Sequence, residues 1–219
     1  NGGYVINGQK AFCTNAGYAG TIIFTAIIDD NSNDKQIGAF IAEKGTDGLR
    51  IGEPEDKMGW KGSDTRSVYF EDMFIPKENV LGDPSKGFKQ FLRTLTGGRI
   101  TIGALALGTA QGAYQRALKY STEREAFGKQ INKFQGVSFK LADMATSIEA
   151  AKHLVYHAAY LKDSEKDVIK QAAMAKLFSS EMCMKVTTEA IQIFGGYGYI
   201  KEYDVERFFR DSKILEIGE

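Results

Sequence analysis

The chain has 219 residues, 43% of them hydrophobic and 26% charged, a balance ordinary for a globular protein with apolar surface enough for a real core. Lys plus Arg equals Asp plus Glu at 28 each, so charge gives no reason to propose nucleic acid or an anionic membrane as partner. No apolar run approaches the ~20 residues that span a bilayer, which excludes membrane insertion by a helix.

No secretory signal opens the chain. Cys13 and Cys183 lie far apart and in no metal spacing, so they read as reduced thiols in a cytosol-like compartment. Asn1 is not a methionine and adjoins a strand pattern, and no polar tail precedes Glu219. The chain therefore reads as the interior of a longer protein.

The first ~85 residues read as β structure. Tyr4-Val5-Ile6 is followed by Asn7-Gly8, the dipeptide suited to a tight hairpin, and by a return strand at 9–12. A β-branched run at 21–28 predicts a second strand, ending in a polar tip at 29–35. Segments 37–42 and 66–74 predict two more, the latter alternating Val68, Phe70 and Phe74 with charged neighbours. This spacing suggests an antiparallel barrel or sandwich.

The pattern changes near Pro84, the last proline of the chain. Apolar residues then recur at steps of three and four, predicting helices over about 87–120, 135–161, 165–194 and 203–211. Breaks fall at Phe127-Gly128, at Lys162-Asp163-Ser164 and at Gly195-Gly196-Tyr197-Gly198. The whole reads as an α+β, multi-domain chain: an antiparallel β-barrel or sandwich over 1–85, then a four-helix bundle over 86–219. Ala104-Leu105-Ala106-Leu107 is apolar enough to predict subunit contacts.

Several motifs are set aside. The glycines at 195–198 follow a helix pattern, whereas a dinucleotide fingerprint follows a strand and opens a helix, so they read as a helix stop. His153 and His157 stand at i and i+4, but Leu154 occupies the place of the zincin glutamate and no third ligand suggests itself, so no metal is expected. No nucleophile elbow occurs, and hydrolase chemistry has no support.

Seven strings in order then carry a resemblance. They are Asn7-Gly8-Gln9-Lys10-Ala11-Phe12-Cys13-Thr14-Asn15, Asp56-Lys57-Met58-Gly59-Trp60, Gly97-Gly98-Arg99-Ile100, Arg124-Glu125-Ala126-Phe127-Gly128-Lys129, Phe134-Gln135 with Lys140-Leu141-Ala142-Asp143-Met144, Gln192-Ile193-Phe194-Gly195-Gly196-Tyr197-Gly198-Tyr199, and Arg210-Asp211-Ser212-Lys213-Ile214 leading to Glu219. The chain resembles the acyl-CoA dehydrogenase family from end to end, closest to its short-chain (butyryl-CoA) branch. The resemblance implies an N-terminal helical domain outside this chain, then a middle β domain and a C-terminal helical domain. It implies a flavoprotein oxidoreductase of fatty acid β-oxidation, a homotetramer (dimer of dimers) with FAD, an acyl-CoA substrate, and electron-transferring flavoprotein as electron acceptor. A bacterial cytoplasm or mitochondrial matrix would be its compartment.

Roles follow by position. Phe12 matches the aromatic beside the isoalloxazine and Thr14 the hydroxyl near its N5/O4 edge, with Cys13 between them. Arg124 matches an arginine reaching a neighbouring subunit's FAD pyrophosphate, a contact suited to a guanidinium fork. Gln135, Gln192, Ile193, Phe194, Gly195 and Gly196 match further FAD contacts across the subunit interface, the glycines permitting close backbone approach, and Phe127 matches another cofactor contact. Thr96, Gly97, Gly98 and Arg99 match substrate-side residues.

Glu219 matches the catalytic base. It would take the α-proton of a thioester acidified by hydrogen bonds to its carbonyl oxygen, while the β-hydrogen leaves as hydride to flavin N5. Some relatives place the base just before the arginine matching Arg99; here Gly98 stands there, which leaves the role to Glu219. Thr96 and Gly218 stand where relatives often carry aspartate and tyrosine, and so leave acyl length open. An oxidase using molecular oxygen and a non-catalytic oligomeric binding module are the competing readings.

Overall fold

A computed structural model describes residues 2–29 and 36–218. It divides into two compact units, Asn1–Thr94 and Leu95–Glu219. The first carries strands β1 (Gly3–Thr14), β2 (Thr21–Ile28), β3 (Gln36–Glu43), β4 (Leu49–Pro54) and β5 (Thr65–Pro76). They form a three-stranded antiparallel sheet in the order β1-β5-β4 and a two-stranded antiparallel sheet β2-β3. The sheets do not close into a barrel, so of the two expected architectures the sandwich-like one describes the unit.

The core explains the stacking. Phe24 of β2 lies nearly parallel to Phe70 of β5, centroids 4.5 Å apart, and 5.7 Å from Phe40 of β3. Ile6, Val68, Met73 and Ile75 complete the same buried cluster. Strand alternation supplies these residues from each strand's inner face, leaving Ile23 and Ile27 outward.

Two bulges depart from the expected pattern. Asn7-Gly8 is not a hairpin turn: β1 runs unbroken through it, paired with β5 along its length. Opposite Asn7, β5 carries one extra residue, and Asp72 there adopts φ 49°. The Asn7 carboxamide secures it, donating to Asp72 Oδ1 at 2.9 Å and accepting the Asp72 N–H at 2.8 Å. One inserted residue reverses strand parity. Buried Val68 and Phe70 are therefore followed by buried Met73 and Ile75, and Phe74, expected inside, is half exposed. The second bulge lies in β1 at Ala11–Phe12, where Phe12 adopts φ 56°. Of the expected polar tip at 29–35, positions 30–35 lie outside the described residues.

The second unit holds most of α1 (Gly87–Glu123), the short hairpin β6 (Glu125–Ala126) and β7 (Lys129–Gln130), then α2 (Gln135–Asp163), α3 (Ile169–Phe194) and α4 (Val205–Ile217). Four helices follow the β region as the periodicity predicts. Ala106, Ala110, Ala113 and Ala117 make a fully buried small-residue stripe on α1, which lets neighbouring helices approach closely. The helix α4 extends six residues past its expected end because Ser212 and Leu215 continue the buried face begun at Val205. β4 and the β6–β7 hairpin are not foreseen by the sequence reading. Phe127-Gly128 is more than a break: with φ 51° and 80° it forms the two-residue hairpin loop.

Candidate cofactor-binding and active site

In the first unit, three of the expected residues sit at the end of β1. Phe12 is 75% exposed, and its positive φ holds it on the bulge. Thr14 is exposed and opposes Thr65. Cys13 turns the other way and packs against the core, where burial pushes its thiol above the usual range. The segment thus offers a ring, a hydroxyl and backbone groups to whatever lies outside it. Asn15, the next residue, also has positive φ, 61°. Non-glycine residues are rare in this region and persist where the surroundings hold them, often at functional sites.

In the second unit, a cleft of about 560 Å³ is lined by Tyr120, Arg124, Ile131, Ile193, Phe194, Gly195, Gly196, Tyr197 and Ile200. Its construction follows from two helix ends. Helix α1 stops at Glu123, and Arg124 follows at once, its N–H donating to the Tyr120 carbonyl at 2.8 Å. Helix α3 stops at Phe194, and the Gly195 N–H closes its last turn on the carbonyls of Gln192 and Ile191. Gly195 requires glycine, with φ 61° and ψ −136°. A Cβ built on Gly195 or Gly196 meets nothing within 4 Å, so bare backbone faces open space.

Aromatic rings brace these two ends. Tyr120 stacks on Phe194 at 4.1 Å, Tyr203 meets both edge-on, and the Arg124 guanidinium lies 5.6 Å from the Tyr197 ring centroid. Burial raises the Tyr120 phenol above its ordinary range. A cation on one rim, an aromatic wall and exposed backbone suit a phosphate-bearing ligand with a planar group.

The other expected residues are placed differently. Gln192 and Gln135 stand exposed at the end of α3 and the start of α2, outside the cleft lining. Phe127 is 97% exposed at the hairpin tip, edge-on to Phe134 at 6.2 Å. Thr96, Gly97, Gly98 and Arg99 are half-buried on α1, where the Gly98 carbonyl accepts the Thr101 hydroxyl at 2.8 Å. Gly97 is covered by Lys162, whose Nζ would lie 2.8 Å from a Cβ there. Glu219 lies outside the described residues. His153 is exposed and pairs with Glu149 across one turn of α2.

Comparison with known proteins decides the lineage. Residues 1–73 match the family "Acyl-CoA dehydrogenase, middle domain", and residues 85–219 match "Acyl-CoA dehydrogenase, C-terminal domain". The chain belongs to the acyl-CoA dehydrogenase family. The probable acyl-CoA dehydrogenase YngJ of Bacillus subtilis is 54% identical over 99% of this chain and 57% of its own length. Butyryl-CoA dehydrogenase from Megasphaera elsdenii is 50% identical, with TM-score 0.94 over 99% of this chain and 56% of its own. A chain from the structure of the electron transferring flavoprotein of Acidaminococcus fermentans is 52% identical, with TM-score 0.95 over 99% of this chain and 57% of its own. The chain thus spans little more than half the length of each of these proteins.

Tyr120, Ile131, Tyr197 and Ile200 are cleft residues that the sequence reading does not assign to a site. Tyr120 had a usable signal, since it precedes Arg124 by four residues and so shares its helix face.

Proposed function

We propose that the protein catalyses FAD-dependent α,β-dehydrogenation of a short-chain acyl-CoA thioester. The observation that carries the reading is the cleft that sets Arg124 beside the bare backbone of Gly195 and Gly196. Its donor chemistry fits FAD: a guanidinium for the pyrophosphate and close approach where side chains are missing. FAD, once bound, supplies a two-electron acceptor.

The chain's own residues then divide the work. Arg124 neutralises phosphate charge, with Gln135, Gln192 and Phe127 as further contacts and Ile193 and Phe194 as the wall. The Phe12 ring and the Thr14 hydroxyl, both exposed at the end of β1, would hold the planar group of a bound flavin. Thr96, Gly97, Gly98 and Arg99 line the thioester side. The Glu219 carboxylate takes the α-proton, and Gly98 offers no base at the position just before Arg99. By likeness to its relatives, the protein works as a homotetramer in a bacterial cytoplasm or mitochondrial matrix and passes electrons to electron-transferring flavoprotein. The butyryl-CoA dehydrogenase relative supports the short-chain preference.

Anaerobic addition of butyryl-CoA to the FAD-loaded protein tests the reading. Bleaching of the yellow flavin band, abolished in Glu219→Gln, is the expected result. Fast re-oxidation by air would favour the oxidase, and a protein that takes up no flavin would favour the binding module.

A further inference from the structure

We infer that Asp64 is a positioning residue that fixes the flavin-facing end of β1, an inference that rests on the FAD reading above. Phe12 and Thr14 can serve a cofactor only if ring and hydroxyl are held in one orientation, and their backbone does not hold itself. Phe12 and Asn15 flank them at φ 56° and 61°, conformations that non-glycine residues leave unless constrained.

Asp64, the residue just before β5, supplies the constraint through both its main chain and its side chain. Its carbonyl oxygen accepts the Asn15 N–H at 2.9 Å, and its Oδ2 accepts the Gly17 N–H at 2.8 Å. Its Oδ1 accepts Arg66 Nε at 2.7 Å, and Arg66 Nη1 donates onward to the Gly52 carbonyl at 3.1 Å. The carboxylate is 6% exposed. A Cβ on Gly17 would stand 2.5 Å from Arg66 Nε, so the guanidinium lies directly against a bare Cα. The Arg66 hydrogen bond, then the Gly17 N–H, holds the Asp64 carboxyl below its ordinary range and therefore ionised. A buried carboxylate held by Gly17 and Arg66, together with the Asp64 carbonyl on the Asn15 N–H, ties down the turn that directly follows Thr14 and leaves it little freedom.

The same bonds could merely stabilise the sheet, so the test needs a matched control. Asp72 supplies it: it makes a pair of bonds to Asn7 within the β1–β5 ladder, away from the end where Phe12 and Thr14 lie. In the FAD-loaded protein, Asp64→Asn is expected to weaken FAD binding roughly tenfold or more, the scale for a lost hydrogen bond to a charged group. It is also expected to displace the flavin's visible absorption band and midpoint potential. Asp72→Ala should lower the thermal midpoint comparably and leave the affinity, band and potential unchanged. An Asp64→Asn protein with lowered thermal midpoint but wild-type affinity, band and potential overturns the inference. If Asp64→Asn does not fold, Arg66→Lys, which keeps the charge but not the fork, should shift the same three quantities less; no shift overturns it. A wild-type protein that takes up no FAD removes the functional reading, and this inference with it.

Discussion

Arg116 of α1 and Asp204, just before α4, meet through two hydrogen bonds of 2.9 Å each, Nε to Oδ1 and Nη2 to Oδ2. The guanidinium also lies 4.7 Å from the Phe208 ring centroid. This fork joins residues 88 positions apart and fixes the start of the helix that leads toward Glu219. Both side chains are 43% exposed, so water screens the pair. Arg116→Ala should therefore cost only about 0.5–1 kcal/mol of stability. Arg116→Lys should cost nearly as much, because a lysine cannot make two parallel bonds. Denaturant unfolding of both variants checks this; a wild-type midpoint for Arg116→Lys would show that charge alone matters.

Phe127 presents a conflict between stability and use. A phenylalanine at φ 51° in a two-residue hairpin loop is strained, and its ring is almost wholly exposed. Asparagine tolerates that conformation far better. Phe127→Asn should raise stability by about 0.5–1 kcal/mol and weaken FAD binding. Thermal melts and FAD titration on one preparation read both effects. Unchanged affinity would remove Phe127 from the cofactor-binding set.

Asp83 gives a pH prediction. Its carboxylate accepts from Lys86, from the Ser85 hydroxyl at 2.7 Å and from the Ser85 N–H at 3.0 Å, contacts that lower its pKa to about 2. A depressed pKa in the folded state means stability present above the ordinary value of 3.8 and lost as pH falls toward 2. The difference in thermal midpoint between wild type and Asp83→Asn should therefore shrink from pH 5 to pH 2. A constant difference over that range would show that the charge contributes nothing.

Much of the fold was legible because it rests on local periodicity. The strand at Thr21–Ile28 and the helical grammar after Pro84 need only neighbours within one strand or a few turns to declare themselves. Gly195 was readable as a helix stop for the same reason. Phe74 shows where this fails: its outward position depends on the Asn7–Asp72 bulge, a contact across 65 residues. The site divides in the same way. Arg124 and the 192–196 stretch could be named from the resemblance, whereas the aromatic bracing by Tyr120, Tyr197 and Tyr203 could not.

By itself the sequence determined the change from strands to four helices near Pro84, the helix stop at Phe194 and the family, because these depend on side-chain pattern along the chain. Tertiary structure alone decided which residues the bulges turn outward, that Asn7-Gly8 continues a strand, and that Asp64 closes on Gly17 and Arg66. Those outcomes are set by hydrogen bonds between distant residues, whose partners no local pattern specifies.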